Sequence, residues 1–372
     1  MKTRRISLLL MLCTSMVFAQ HTPRVNENEF KPGELWYDTQ GTPINAHGGG
    51  MLFHQGVYYW FGEFKVAGEV GNLAQVGVSC YSSKDLYHWT NEGIALPVST
   101  DENSDIAKGC ILERPKVIYN ARTKQFVMWF HLELKGKGYA SARSGIAVAD
   151  NPTGPYRYLR STRSVPGRYP VNKLPLHGGE HGTFQWGMHP DSVNLIGRDL
   201  HEGQMARDMQ LFVDEDGKAY HLCASEENST LHIAELTDDY TDFTGKYVRA
   251  FVNRYMEAPA LFKKDGLYYF MGSDCTGWNP NPARSAVAPS IWGPWTELGN
   301  PCVGDDKETT FHSQSTYILP VEGKPNAFIY MGDRWNPKDA IDGRYVWLPI
   351  EFEADRFVIR WCDRWNLNLF NQ

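Results

Sequence analysis

The sequence lacks the features that define several common classes of protein. After the first 20 residues it has no apolar run of the roughly 18 residues needed to span a bilayer. Lysine and arginine, 37 in all, are dispersed and outnumbered by 43 acidic residues, so the basic footprint of a nucleic-acid-binding protein is missing. No CxxC or Cys/His spacing typical of zinc occurs. We therefore expect no membrane span, no nucleic-acid partner, no cofactor and no metal.

The first 19 residues have the composition of a secretory signal peptide. A basic stretch that ends at Arg5 precedes the apolar residues 6–18, and Ala19 completes a small-residue cleavage site. The apolar stretch is too short for a membrane anchor. We expect cleavage after Ala19 and a periplasmic or secreted protein, which leaves residues 20–372 as the mature chain.

Cysteine is scarce, and six cysteines would remain after cleavage. An even number in an oxidising compartment permits disulfides, although a chain of this length does not need them to fold. Their connectivity stays open. The six are Cys80, Cys110, Cys223, Cys275, Cys302 and Cys362.

Helical periodicity is also nearly absent, and one aromatic pattern recurs five times instead. Upstream of each copy, a separate apolar run opens on a polar side chain. The copies are GVYYWFGE, KQFVMWFH, GKAYHLCA, GLYYFMGS and NAFIYMGD, and the openers are His47, Glu113, Asp208, Glu257 and Gln314. Each unit continues into two short alternating runs joined by turns rich in Asp, Pro and Gly. Five units of four antiparallel strands predict an all-β, five-bladed β-propeller that forms a single domain.

The repeat is interrupted by a long segment at about residues 160–205 that is rich in Gly, Pro and His. A loop of this length inside a compact domain is usually functional, and we expect it to lean over one face of the propeller and shape a pocket. Four histidines raise the question of a metal, but their spacing suits no ligand set and solvated side chains are the simpler interpretation. They are His177, His181, His189 and His201.

The first strand of each propeller blade lines the central channel, so the five openers should converge at one mouth. An alternative is that each opener caps its strand or pairs with a neighbouring arginine. Three carboxyl groups in one funnel, those of Glu113, Asp208 and Glu257, would repel one another if all were ionised. The least solvated should have a raised pKa and act as a general acid, while another stays charged, held by Arg207, and tunes it. A protonated carboxyl group beside a charged carboxylate is the arrangement that cleavage of a glycosidic bond requires.

Nine sequence strings, in order along the chain, resemble glycoside hydrolase family 43 and most closely its exo-β-1,3-galactanase branch. They are NAHGGG, YYWFGE, ERPKVIYN, VMWFH, RDMQLFVD, EAPALFK, GWNPNP, SQ and YMGDRW. The resemblance covers nearly the whole mature chain and implies a five-bladed propeller that hydrolyses with inversion. It implies that Glu257 is the catalytic acid, that Asp208 modulates the pKa of the acid and orients it, and that Glu113 binds sugar hydroxyls beside the reaction centre.

The chain departs from the wider family in blade 1, where most members carry an Asp general base. Here the stretch reads NAHGGG, and Gly48 to Gly50 are expected to leave space instead. The galactanase branch shares this loss, and a Gln that matches Gln314 is proposed there as the base through its imidic acid tautomer. The alternative is that Gln314 holds the attacking water while Glu113 takes the proton.

The same resemblance nominates residues of the terminal sugar pocket: Glu63, Tyr139, Asn228 and Trp278. Trp278 lies between prolines that would fix it as a stacking platform, although packing at a blade edge is the alternative. The leading hypothesis is an exported, monomeric, exo-acting enzyme that releases galactose from β-1,3-galactan, such as an arabinogalactan backbone. The alternatives are a related glycosidase for arabinofuranose, xylose or galactofuranose, or a glycan-binding propeller without turnover.

Overall fold

The computed structural model describes residues 28–73, 75–172, 181–354 and 356–371. The predicted signal peptide and His177 lie outside these ranges. Within them the chain forms 21 β-strands in five sheets and one short α-helix, α1 (Leu195–Arg198). The predicted all-β, five-bladed propeller is therefore confirmed.

The sheets follow one another along the chain, and in each the strands are antiparallel neighbours in chain order. A short additional strand in the last sheet runs parallel to its outermost strand. The strands are β1 (His47–His54), β2 (Val57–Lys65), β3 (Gln75–Ser83) and β4 (Thr90–Pro97) in blade 1; β5 (Ile111–Asn120), β6 (Gln125–Glu133), β7 (Arg143–Ala149) and β8 (Arg157–Thr162) in blade 2; β9 (Met209–Val213), β10 (Ala219–Ser225), β11 (Thr230–Leu236) and β12 (Phe243–Ala250) in blade 3; β13 (Glu257–Lys264), β14 (Leu267–Ser273), β15 (Arg284–Ala288) and β16 (Thr296–Gly299) in blade 4; and β17 (Cys302–Val303), β18 (Gln314–Pro320), β19 (Phe328–Arg334), β20 (Arg344–Glu353) and β21 (Arg356–Arg360) in blade 5. Short 3₁₀ helices lie at Gly71–Leu73, Pro190–Val193, Lys307–Thr309 and Leu367–Asn371.

The innermost strands β1, β5, β9, β13 and β18 contact one another in a closed ring. The first and last blades meet across an aromatic cluster that uses five of the twelve tryptophans: Trp36, Trp60, Trp89, Trp347 and Trp365. Phe30 seals this junction, because its backbone pairs with that of Trp365 in both directions at 2.7 and 3.1 Å. Separate apolar clusters fill the other blade interfaces, so each blade is stabilised by packing on its neighbours.

The openers occupy equivalent places at the start of the inner strands. The first residues of β1, β13 and β18 are His47, Glu257 and Gln314. Glu113 is the third residue of β5, and Asp208 immediately precedes β9.

A β-bulge follows the opener in blades 1, 2 and 4, where the pairing register shifts. The next residue there has a left-handed backbone, with φ of 59° at Gly48, 56° at Arg114 and 51° at Ala258. Bulges at the rim of a closed sheet redirect side chains, and a left-handed backbone at non-glycine residues, here Arg114 and Ala258, concentrates at functional sites. The repeated bulge therefore indicates a functional site at this mouth of the propeller.

The long segment between blades 2 and 3 is anchored at its base and again further out. At its base, the backbones of Ser164 and Gln204 exchange hydrogen bonds of 2.9 and 2.7 Å. Further out, the carboxylate of Asp191 pairs with Arg249 of β12 at 2.7 Å. The segment is thus held against blade 3.

Two further expectations concern the chain as a whole. Across the described ranges, no helix combines the length and the apolar character that a membrane crossing requires. The six cysteines predicted to remain after cleavage are free thiols, and four of them are buried.

Candidate active site

A cavity of about 380 Å³ opens at the mouth where the inner strands begin. Its walls include all eight residues that the sequence nominated: Glu63, Glu113, Tyr139, Asp208, Asn228, Glu257, Trp278 and Gln314. Four of the five openers therefore meet there. The fifth, His47, is 2% exposed and stacks behind Trp335 with ring centroids 5.9 Å apart. Burial lowers the pKa of His47 to about 3, so it is a neutral packing residue behind the cavity wall.

Glu257 has the properties of a carboxylic acid that stays protonated near neutral pH. Burial raises its pKa to about 8, and the negative charge of Asp208 adds to the effect. The side-chain N–H of Asn228 donates to Oε1 of Glu257 at 3.3 Å. A positioned acid with a pKa in this range can protonate a leaving oxygen at physiological pH.

The carboxylate of Asp208 is held by Arg114, with Nη2 2.9 Å from Oδ2. The expectation that Arg207 holds it is wrong. Arg207 donates instead to the backbone oxygen of Tyr139 at 2.8 Å and faces Glu227 at 3.6 Å. Arg207 and Asp208 both line the cavity, but the guanidinium of Arg207 is engaged by Tyr139 and Glu227, while Arg114 reaches across from blade 2 to the carboxylate of Asp208.

Glu113 is held as a carboxylate by a buried histidine. Nδ1 of His131 lies 2.9 Å from Oε2 of Glu113, and Nε2 lies 3.0 Å from Glu133. Burial alone would lower the pKa of His131, but the two carboxylates raise it to about 9. Burial likewise opposes ionisation of Glu113, yet the hydrogen bond and charge of His131 lower the pKa of Glu113 to about 2. Tyr139 donates its hydroxyl to Oε1 at 2.8 Å, so Glu113 is a fixed, ionised acceptor.

Glu113, His131 and Asp208 are also the one group of three potential metal ligands among the described residues, with ligand atoms within 4.8 Å of one another. These atoms already have partners. His131 carries a proton at neutral pH, and Asp208 is paired with Arg114. A protonated imidazole is not a metal ligand, and we interpret the group as an ion-pair network. The described histidines of the long segment join no such group.

The side-chain amide of Gln314 has a fixed orientation. Its oxygen accepts hydrogen bonds from Arg114 at 2.6 Å and from the indole of Trp335 at 3.0 Å. Its nitrogen donates to the hydroxyl of Ser273 at 2.9 Å. Because a carbonyl oxygen has two lone pairs, its acceptor capacity is used and the second N–H is what Gln314 offers the cavity.

The glycines of blade 1 do not leave empty space. A Cβ at Gly48 would collide with the carboxylate of Glu63, and one at Gly50 would collide with the side chain of Lys116. Glu63 is 1% exposed and binds the backbone N–H of Arg114 at 3.0 Å and Lys65 at 3.0 Å. The glycine run therefore lets neighbouring charged side chains approach the channel closely.

Two buried polar atoms in the cavity wall have no hydrogen-bond partner in the described part of the chain. They are Oδ1 of Asn228 and Nε of Arg207. Buried polar groups are normally paired, so these two are suited to the hydroxyl groups of a ligand. Trp278 is 39% exposed at the rim and meets Trp335 edge to face at 6.0 Å, which leaves an indole surface open to the cavity.

Sequence reasoning missed His131 and did not single out Arg114 as a site residue, although a signal for His131 was present. The last residue of each aromatic repeat lies opposite the opener or next to that position, as Glu63 faces His47 and His131 faces Glu113. Four of the five repeat ends are therefore polar residues beside an opener, and the exception is Ala224 in blade 3. Trp186 and Asn72, which also line the cavity, lie outside any repeat and gave no such signal.

A propeller cavity that combines a protonated carboxyl with fixed carboxylates and open indole surfaces defines a sugar-processing enzyme. The model of glycosyl hydrolases family 43 matches residues 187–355. A solved structure of a β-1,3-galactosidase of this family, with galactodeoxynojirimycin, is 53% identical with a TM-score of 0.86 and covers 91% of this chain and 100% of its own. The chain belongs to glycoside hydrolase family 43 and is a glycoside hydrolase that acts on oligosaccharides or polysaccharides.

Matches to two further relatives span a smaller share of the length of each relative. An exo-β-1,3-galactanase from Clostridium thermocellum is 37% identical with a TM-score of 0.76, over 91% of this chain and 66% of that chain. A β-D-galactofuranosidase from Aspergillus niger is 30% identical over 131 residues, which are 34% of this chain and 37% of the relative. The chain thus spans about a third of the curated relative and about two thirds of the Clostridium enzyme.

Proposed function

We propose that the protein is an exported, monomeric, exo-acting enzyme that releases galactose from β-1,3-galactan with inversion at the anomeric carbon. The observation that carries the proposal is the protonated Glu257 placed among the charges of Asp208, Glu113 and Arg114 in one cavity. The similarity to β-1,3-galactosidases over the full length of a relative supports the choice of sugar.

The terminal galactose occupies the deep end of the cavity, where Glu63 and Glu113 are 1% and 8% exposed. Glu257 gives its proton to the glycosidic oxygen as the bond from that oxygen to the anomeric carbon breaks. The carboxylate of Asp208, paired with Arg114, keeps the acid protonated through its charge and stabilises the positive charge that develops on the sugar.

A water molecule attacks the anomeric carbon from the opposite face. We assign the placing of this water to Gln314, whose oxygen already accepts two hydrogen bonds and whose second amide N–H is left to donate. Because a neutral amide is a weak base, we assign the proton of the water to the ionised carboxylate of Glu113 as the new C–O bond forms. The product is galactose with the α configuration and a chain shortened by one unit.

The test is a substrate panel with purified protein. β-1,3-Galactan is incubated in parallel with arabinofuranosides, xylosides and galactofuranosides, and the released monosaccharide is identified. The proposal predicts galactose from β-1,3-galactan at a rate well above all other releases. Preferential cleavage of a galactofuranoside would favour the activity named for the Aspergillus relative, and preferential release of arabinose or xylose would equally overturn the choice of sugar.

Export is tested separately, on the natural protein. The signal peptide predicts that the mature chain begins at Gln20 and is found in the periplasm or the medium. N-terminal sequencing of the protein from fractionated cells checks both. An intact Met1 in the cytoplasm would contradict export without affecting the proposed chemistry.

A further inference from the structure

Trp186 is an exposed indole in the wall of the catalytic cavity. At 63% exposure it is the most exposed of the large apolar side chains in the described ranges, and it lines the same cavity as Glu257. A single exposed apolar side chain needs no explanation by itself, but an exposed indole at a cavity rim often contacts a ligand. It lies in the long segment, outside every repeat.

The indole is held in place before any ligand binds. Its ring centroid lies 4.5 Å from that of Tyr255. The backbone N–H of Gly187 donates to the hydroxyl oxygen of Tyr255 at 3.0 Å, and a hydrogen bond of 3.0 Å from Met188 to Gln185 closes the turn that carries Trp186. A rigid contact surface costs less entropy on binding than a mobile one.

The position of Trp186 relative to the acid indicates which sugar it would contact. Tyr255, its support, precedes Glu257 by two residues and lies outside β13, towards the open mouth. The acid must lie between two sugars, because it protonates the oxygen that joins them. The terminal sugar takes the buried end beside Glu63 and Glu113, so the next sugar lies over the acid at the open rim, where Trp186 is.

We propose that Trp186, supported by Tyr255, is the platform for the leaving sugar, the β-1,3-linked galactosyl unit that becomes the new chain end. The proposal rests on the proposed function and extends it to a second subsite. The electron-rich face of an indole suits the C–H groups on the apolar face of a pyranose. Trp278 is distinct, because it packs against Trp335 on the side of blade 5 and was nominated for the terminal sugar.

The test compares two substrates that differ only in the leaving group. One is the methyl β-glycoside of β-1,3-galactobiose, which has a leaving sugar, and the other is β-D-galactosyl fluoride, which has none. Trp186→Ala should lower kcat/KM on the disaccharide roughly 10- to 100-fold and leave the fluoride within about twofold. Trp186→Phe should recover part of the loss. Trp292→Ala, a partly exposed indole on the outside of blade 4 beneath Lys246, is the matched control and should change neither.

The outcomes separate this inference from the proposed function. Equal activity of Trp186→Ala and wild type on the disaccharide would overturn the leaving-sugar platform and leave the galactosidase intact. An equal loss on both substrates would also overturn the leaving-sugar platform, because the indole would then act on the terminal sugar or on the stability of the fold. The thermal unfolding midpoint of Trp186→Ala distinguishes an effect on the terminal sugar from an effect on stability. If wild type cleaves neither substrate, the proposed function fails and the platform fails with it.

Discussion

The guanidinium of Arg114 lies 2.9 Å from the carboxylate of Asp208, and the two charges act on Glu257 with opposite sign. Burial is the largest cause of the raised pKa of Glu257, the charge of Asp208 raises this pKa further, and the charge of Arg114 lowers it. The same guanidinium also donates to Gln314. One arginine therefore contacts both the carboxylate that raises the pKa of the acid and the side-chain amide of Gln314.

This relationship predicts the effect of Asp208→Asn on the pH profile. Removing the negative charge while Arg114 remains should lower the pKa of Glu257 from about 8, so the alkaline limb of kcat/KM moves to lower pH, by roughly one unit. The rate at the optimum should fall as well, because the developing positive charge loses a partner. Asp238→Asn, an exposed acid paired with Arg122 on the surface, is the control. An unmoved limb in Asp208→Asn would contradict the electrostatic role.

The raised pKa of Glu257 also has a consequence for stability. Between the ordinary pKa of 4.5 and the raised pKa of about 8, the unfolded chain releases the proton of Glu257 while the folded protein keeps it, so this residue makes folding less favourable as pH rises through that window. Glu257→Gln cannot ionise. Its thermal unfolding midpoint should exceed that of wild type by a margin that grows from pH 4.5 to 8, while turnover is lost. A margin that does not change with pH would show that Glu257 is ionised in the folded protein.

His131 should also make the protein less stable as pH rises, but by losing a favourable contribution rather than by adding an unfavourable one. Its pKa rises from 6.5 to about 9 on folding, so the stability it contributes is fully present below pH 6.5 and is lost as pH rises through 9. His131→Gln should therefore be destabilised most at pH 6, on the order of 3 kcal/mol, and the difference should vanish above pH 9. Denaturant unfolding at the two pH values measures it. A constant deficit in His131→Gln at the two pH values would contradict the ion pair.

Gln314 is the residue whose chemistry is least conventional, and two variants separate its contacts. Gln314→Ala removes the amide and should lower kcat roughly 100-fold or more with little change in the unfolding midpoint, because the attacking water is no longer placed. Ser273→Ala removes only the hydroxyl that accepts from the amide nitrogen and should cost about tenfold. Near-normal turnover in Gln314→Ala would exclude this residue both as base and as water-positioning group.

The repeat allowed much of this site to be predicted, for a physical reason. Strand spacing fixes which residue of each unit starts the channel strand, so Glu113, Asp208, Glu257 and Gln314 could be placed at one mouth. Side-chain direction is set by local backbone. The left-handed turn at Arg114 aims its guanidinium across the channel, and this is why Arg114 rather than Arg207 holds Asp208. His47 shares the register of the other openers but is buried behind Trp335, a packing relationship that spacing cannot reveal.

Trp186 could not be predicted, because its position depends on how a non-repeating segment returns to the propeller. Its contact with Tyr255 joins residues 69 positions apart that share no pattern. The catalytic and sugar-binding roles given to the cavity residues remain predictions that the variants above can test. The signal peptide and monomeric state also remain predictions.

The most direct test of the account is the configuration of the sugar at the moment of release. Wild-type protein is mixed with the methyl β-glycoside of β-1,3-galactobiose, and the anomeric protons are followed by NMR before mutarotation equilibrates them. The account predicts that α-galactose appears first and the β-anomer only later, at the rate of mutarotation. First appearance of β-galactose, or no release of galactose, would contradict direct attack by water opposite Glu257.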